Sequence, residues 1–162
     1  MGINTLLRSD GFKGGSKVFL MEFSMPNDPG ASGMNADMPA IWILNAQIGR
    51  TLQYGKGDCS CWQTGCGEFD IFEVLDPGDF RCKSSLQIGS SHAKGDSNYF
   101  QRPTGGCIKV AVLFDGPSNS ISIQILDSST VISGSLTNAQ VTGMWKQFAQ
   151  DSPDISICQM PS

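Results

Sequence analysis

Short apolar or alternating runs recur along the chain, each closed off by Gly, Pro, Asn, Asp or Ser, and helical periodicity is almost absent. Runs of that length alternate inward and outward side chains and bury one face each, so they must stack as sheets. Seven read as strands: Lys17–Phe23, Ala40–Asn45, Glu68–Val74, Ser85–Gly89, Ile108–Phe114, Ile121–Leu126 and Val131–Ser133. Between the fifth and sixth, Asp115-Gly116-Pro117-Ser118-Asn119 is a hairpin turn, and Ile121, Ile123 and Ile125 fall on one face. The expectation is an all-β fold, a jelly-roll sandwich of two antiparallel sheets. The 162 residues fit one domain with one core. Three long loops, Ser24–Met38, Ala46–Cys66 and Ser90–Gly106, are candidates for function.

Charge narrows the partners. The net charge is −4, and the eleven basic residues form no run. Nucleic acids and anionic membranes both require a positive footprint, and no apolar stretch is long enough to span a bilayer, so neither is expected as a partner. The six Cys are even in number, with Cys59, Cys61 and Cys66 close together and Cys82, Cys107 and Cys158 dispersed, while His92 is the single His. A zinc site needs Cys-x-x-Cys pairs or several His, and Cys59-Ser60-Cys61 has the wrong spacing. The reading is a disulfide-stapled, secreted monomer with no metal and no cofactor. Met1–Asp10 lacks the basic start and apolar stretch of a signal peptide, so the chain reads as the core portion of a longer secreted protein.

Two of the three Glu in the sequence sit in one hexapeptide, Glu68-Phe69-Asp70-Ile71-Phe72-Glu73. Acidic residues are rare in strands and costly to desolvate without partners, and local departures from folding rules are where function is expected. Alternation puts Glu68 and Asp70 on one face, with Phe69 and Ile71 toward the core. It would send Glu73 to the wrong face unless a β-bulge near Ile71-Phe72 adds a residue and returns Glu73 beside the others. Two carboxyls about 5–5.5 Å apart suit a retaining glycosidase, and crowding by Asp70 raises at least one pKa, which keeps a proton available at neutral pH. A solvated acidic face or a calcium site is the bland alternative, although Ca²⁺ usually takes its oxygens from loops.

The segment Gly67–Glu73 resembles the E-x-D-x-x-E signature of glycoside hydrolase family 16, and Met38-Pro39-Ala40-Ile41-Trp42-Ile43-Leu44 resembles that family's Pro-Ala-x-Trp strand. The run from Asp37 to Leu75, with Cys59-Ser60-Cys61-Trp62 and Gly65-Cys66-Gly67-Glu68-Phe69-Asp70, is similar to a fungal cell-wall glucanase-like family of the Tos/Psu type in its C-terminal domain. The resemblance implies a glycan cleft on one sheet, with Glu68 as nucleophile, Glu73 as acid/base and Asp70 as the residue that tunes the nucleophile. It also implies a β-1,3-glucan partner and a place outside the cell or in the wall. Family 16 often carries a His on the strand after the catalytic one, whereas Gln87 stands at that position here. Gln cannot protonate but can hydrogen-bond a sugar hydroxyl.

Other residues carry weaker signals. Trp42 and Leu44 share one face of their strand, which makes Trp42 a stacking platform or a core residue. Trp62 lies in the Cys-rich loop, either as a sugar platform or as a lid. Asn35 and Asn45 flank the Trp42 strand and are candidates for sugar hydroxyls or for turns. Tyr99 and Phe100 read as loop residues at the cleft rim, Trp145 as core and His92 as a solvated loop residue. Arg102 reads as a cleft residue or a surface cation. The expected activity is endo-acting hydrolysis of β-1,3-glucan. A wall-remodelling transglycosylase and a non-catalytic glucan-binding wall protein are the alternatives.

Overall fold

A computed structural model describes residues 11–45, 67–87 and 97–151, with side chains through residue 144. Seven strands and one helix follow in order: β1 (Lys17–Phe23), β2 (Ala40–Leu44), β3 (Glu68–Glu73), β4 (Arg81–Gln87), β5 (Ser97–Gln101), β6 (Ile108–Asp115), β7 (Ser120–Leu126) and α1 (Asn138–Asp151). They form a three-stranded sheet, β1-β6-β7, and a four-stranded sheet, β2-β3-β4-β5. All pairings are antiparallel.

The core lies between the two sheets, where alternation places the inward residues. Phe19, Met21 and Phe23 of β1, Val110 and Val112 of β6, and Ile121 and Ile123 of β7 meet Phe69, Ile71, Phe72, Cys82 and Leu86 from the larger sheet. Ile41 and Ile43 of β2 pack there too, which leaves Trp42 and Leu44 on the other face as their spacing predicts. Phe72 is fully buried, with its ring centroid 5.2 Å from that of Phe23 and 4.8 Å from that of Phe100. The central strand β6 of the smaller sheet is buried on its second face as well. Ala111 and Leu113 are covered there by Val18, Leu20, Leu126 and Met144 of α1. That is why β6 reads as an almost continuous apolar run.

Several expectations are corrected. Residues 97–101, assigned to a loop, form β5, so Tyr99 and Phe100 are strand residues with opposite orientations. Val131–Ser133 is not a strand. Helix α1 occupies a stretch that lacks a strong apolar stripe, but its start is written in Thr137-Asn138-Ala139-Gln140. The Gln140 amide N–H donates to Thr137 Oγ1 at 3.3 Å, and Gln140 Oε1 accepts from the Thr137 N–H at 2.8 Å. This reciprocal pair is a capping box.

Disulfide stapling is not met at either Cys within the described residues. Cys82 and Cys107 are free thiols. Cys82 is fully buried, with Sγ 3.7 Å from Met25 Sδ, and burial pushes its pKa up to about 11. It acts as a small apolar core residue. Cys59, Cys61, Cys66 and Cys158 lie outside the described residues.

Arg102 is neither a cleft residue nor a surface cation. It is buried, and its guanidinium donates to the backbone carbonyls of Met25 (2.9 Å), Pro26 (2.7 Å) and Asp79 (3.2 Å). It also pairs with the Asp37 carboxylate. One side chain thereby joins the β1–β2 loop to the β3–β4 turn. The Arg102 hydrogen bond, reinforced by the Asp28 amide N–H, holds the Asp37 pKa below the ordinary carboxylate value.

Phe72 packs against aromatic rings from both sheets, so Phe72→Ala should destabilise the fold by about 3–5 kcal/mol through lost burial and a residual cavity. Denaturant unfolding of the two proteins measures the difference.

Candidate active site on the open face of the larger sheet

The register of β3 against both neighbours contains one extra residue. On the β2 side Trp42 pairs with Asp70, yet Ile41 pairs with Phe72, so Ile71 has no partner. On the β4 side Asp70 pairs with Ser85 and Glu73 with Lys83, so Ile71 and Phe72 together face Ser84. This is the β-bulge expected near Ile71-Phe72. Its signature is two consecutive side chains in the core, with Ile71 at 1% and Phe72 at 0% exposure. Ser84 lies on the core side opposite the bulge, and its hydroxyl donates to the Asp70 backbone carbonyl at 3.2 Å. The hydroxyl supplies a hydrogen bond where the ladder is interrupted.

Glu73 is thereby returned to the face that holds Glu68 and Asp70. Trp42 lies directly across from Asp70, Leu44 across from Glu68 and Ala40 across from Glu73. On the other side stand Gln87, Ser85 and Lys83, opposite Glu68, Asp70 and Glu73 respectively. Tyr99 of β5 follows beyond Lys83. The carboxyl row therefore runs down the middle of the sheet, between a β2 row with Trp42 and a β4 row of polar side chains. Trp42 and Tyr99 are both more than half exposed, on opposite edge strands. The Arg81 guanidinium sits 5.7 Å from the centre of the Tyr99 ring.

The carboxyls are electrostatically distinct. Asp70 is buried, and its Oδ2 accepts from Gln87 Nε2 and, at 3.5 Å, from Ser85 Oγ. Burial raises its pKa, while the Gln87 and Ser85 hydrogen bonds and the Lys83 charge act against the rise. Glu73 is also raised, first by burial and then by the Asp70 and Glu68 carboxylates, with Lys83 opposing. Glu73 is thus shifted toward its protonated form by burial first and by its acidic neighbours second. Among the described residues no three His, Cys, Asp or Glu side chains converge at metal-ligand spacing.

The structure brings together Glu68, Asp70, Glu73, Trp42 and Gln87 from the residues marked in the sequence. Asn35 is not among them. It is exposed, has a left-handed backbone at φ 60°, and its carbonyl accepts from the Met38 N–H at 3.2 Å, which is a turn role. Asn45 continues β2, with its N–H bonded to the Gly67 carbonyl at 3.0 Å. Trp62 and His92 lie outside the described residues, as does the Trp145 side chain. Sequence reading missed Lys83 and Ser85 as site residues and placed Tyr99 in a loop. Counting back in twos from Gln87 along a longer β4 would have found the first two.

Residues 5–144 match the family described as cell wall protein YJL171C/Tos1, C-terminal. The chain belongs to this family. A Candida albicans protein named probable circularly permuted 1,3-beta-glucanase TOS1 is 46% identical over 144 residues, covering 85% of this chain and 30% of the relative. A Saccharomyces cerevisiae protein of the same name is 50% identical over 119 residues, covering 74% and 26%. A Schizosaccharomyces pombe protein also named as a probable circularly permuted 1,3-beta-glucanase is 49% identical over 139 residues, covering 82% and 27%. The chain therefore spans between a quarter and a third of the length of these curated relatives. No solved structure matches it.

The crowding at Glu73 has a measurable consequence. A carboxyl whose folded pKa is raised favours folding below its unfolded pKa, and that contribution is lost as pH rises through the folded value. Glu73→Gln removes the ionisation cost. The variant should therefore melt at a higher temperature than the parent at neutral pH, with the gap closing below the ordinary carboxylate range. Thermal melts at several pH values measure it.

Proposed function

We propose that the chain carries the catalytic strand of a retaining β-1,3-glucan hydrolase, with Glu68 as nucleophile, Glu73 as acid/base and Asp70 as the residue that positions and tunes Glu68. The observation that carries this reading is the bulged β3. It sets three carboxyls on the face of the exposed Trp42, where burial and then the acidic neighbours raise the Glu73 pKa. The names of the relatives favour β-1,3-glucan as substrate. The family description favours action in the cell wall, outside the cell.

The chemistry runs in two balanced steps. The Glu68 carboxylate attacks the anomeric carbon and forms a glycosyl ester while the glycosidic C–O bond breaks. The bond's electron pair leaves on the departing oxygen, which takes the proton held by Glu73. Water then attacks the same carbon and gives its proton to the Glu73 carboxylate. The ester bond breaks and its electron pair returns to Glu68. Each step thus uses Glu73 in the form that the other leaves behind.

Gln87 has a defined part in this scheme. It donates to Asp70 in the place where family 16 often has His, and its amide does not titrate. The support it gives Asp70 is therefore independent of pH. Trp42 offers its indole face to the apolar C–H surface of a pyranose ring beside the carboxyls. The chain is expected to act as a monomer on polymeric β-glucan.

Reducing-end release from a soluble β-1,3-glucan tests the proposal. The parent should turn over and Glu68→Gln should be inactive with its thermal stability kept. Glu73→Gln should lose about 10²–10⁴-fold in kcat. Binding of insoluble glucan by parent and Glu68→Gln alike, with neither releasing reducing ends, would make the face a binding surface instead. Longer oligosaccharides among the products would identify sugar rather than water as the acceptor.

A further inference from the structure

We propose that Lys83 is the counter-charge that lets Glu73 cycle between acid and base. The inference rests on the retaining reading above and assigns Lys83 a positioning role that acts through Glu73. Lys83 stands directly across from Glu73 in the β3–β4 register, and only because of the bulge. Without the extra residue, continuing the Asp70–Ser85 pairing would bring Glu73 opposite Cys82, whose side chain is in the core. The same irregularity that returns Glu73 to the open face therefore also supplies it with a cation.

The groups facing Glu73 make the need for that charge plain. From β3 come the carboxyls of Asp70 and Glu68. From β2 the facing residues are Ala40 and Trp42, which carry no charge. From β5 comes Tyr99, whose ring is paired with the Arg81 guanidinium, and Arg81 itself lies beside Asp79 with Nε 3.7 Å from Oδ1. Lys83, from β4, is the cation whose field opposes the rise at both Glu73 and Asp70. Two acidic neighbours and partial burial, left unopposed, would hold the proton on Glu73 too firmly. A carboxyl in that state is a weak acid in the first step, and in the second it stays protonated at neutral pH instead of standing ready as the base that activates water. The Lys83 charge favours the carboxylate without making a covalent or proton-transfer contribution of its own.

The test compares Lys83→Met and Lys83→Arg with the parent, using two readouts. The first is the pH dependence of kcat/KM on β-1,3-glucan. Its alkaline limb, which reports loss of the acid's proton, should move to higher pH in Lys83→Met and stay in place in Lys83→Arg. The second is the titration of the Glu73 side-chain carboxyl by ¹³C NMR, which needs no turnover. Its midpoint should rise in Lys83→Met and remain near the parent value in Lys83→Arg. An unmoved Glu73 titration in Lys83→Met would overturn the proposal, as would equal displacement in both variants. If the parent releases no sugar while the Glu73 titration moves as expected, the hydrolase reading fails and the coupling of Lys83 to Glu73 stands.

Discussion

Side chains alternate along a strand, so the direction in which Glu73 points is decided by the number of residues between it and Asp70. Ile71 is the extra residue, and the rest of the open face depends on it. With the bulge, Ile71 and Phe72 both enter the core, and Glu73 emerges opposite Lys83. A regular strand would bury Glu73 beside Phe23 and Phe100 and expose Phe72, at the combined cost of an unpartnered buried carboxyl and a lost aromatic anchor. Hydrophobic burial and carboxyl placement therefore enforce the same backbone irregularity. Ser84 secures it from the core side through the Asp70 carbonyl.

The two sheets have different tasks. The smaller sheet packs one face on the larger sheet, its central strand β6 is buried on the other face as well, and it serves as the platform. The larger sheet gives one face to that platform and keeps the other for three carboxyls, a Trp and a row of polar side chains. The loops near the Glu73 end are held by Arg102, whose buried guanidinium engages the backbone carbonyls of Met25, Pro26 and Asp79 together with the Asp37 carboxylate. With the Asp37 backbone carbonyl as a further acceptor, the tie is costly to desolvate but fixes loop positions in one arrangement. The carboxyl row works against stability, since Asp70 and Glu73 are both pushed toward their neutral forms by the burial and proximity that make them useful.

Much of the site was legible in the sequence because a strand obeys a period of two. The acidic residues at 68, 70 and 73 cannot share a face without an inserted residue, so the bulge could be inferred from spacing alone. The orientation of Trp42 and Leu44 followed in the same way. Edge strand β5 was missed because Ser97-Asn98-Tyr99-Phe100-Gln101 holds only two aromatic residues among polar ones, and the pairing that makes it a strand comes from β4. Lys83 was missed with the first half of β4, whose Arg, Lys and Ser residues look like a solvated turn. Arg102 gave no local signal, since its partners at Met25, Pro26, Asp37 and Asp79 are distant in sequence. The disulfide expectation rested on an even Cys count, and at Cys82 a buried thiol packs in the core instead.

The most direct test of this account is a measurement of backbone register around Ile71, by interstrand nuclear Overhauser effects between β2 and β3. The bulged strand predicts contacts pairing Ile41 with Phe72 and Ala40 with Glu73, alongside Trp42 with Asp70. Contacts pairing Ile41 with Ile71 and Ala40 with Phe72 would mean a regular ladder. That result would place Glu73 on the core side and contradict the shared face on which the proposed site is built.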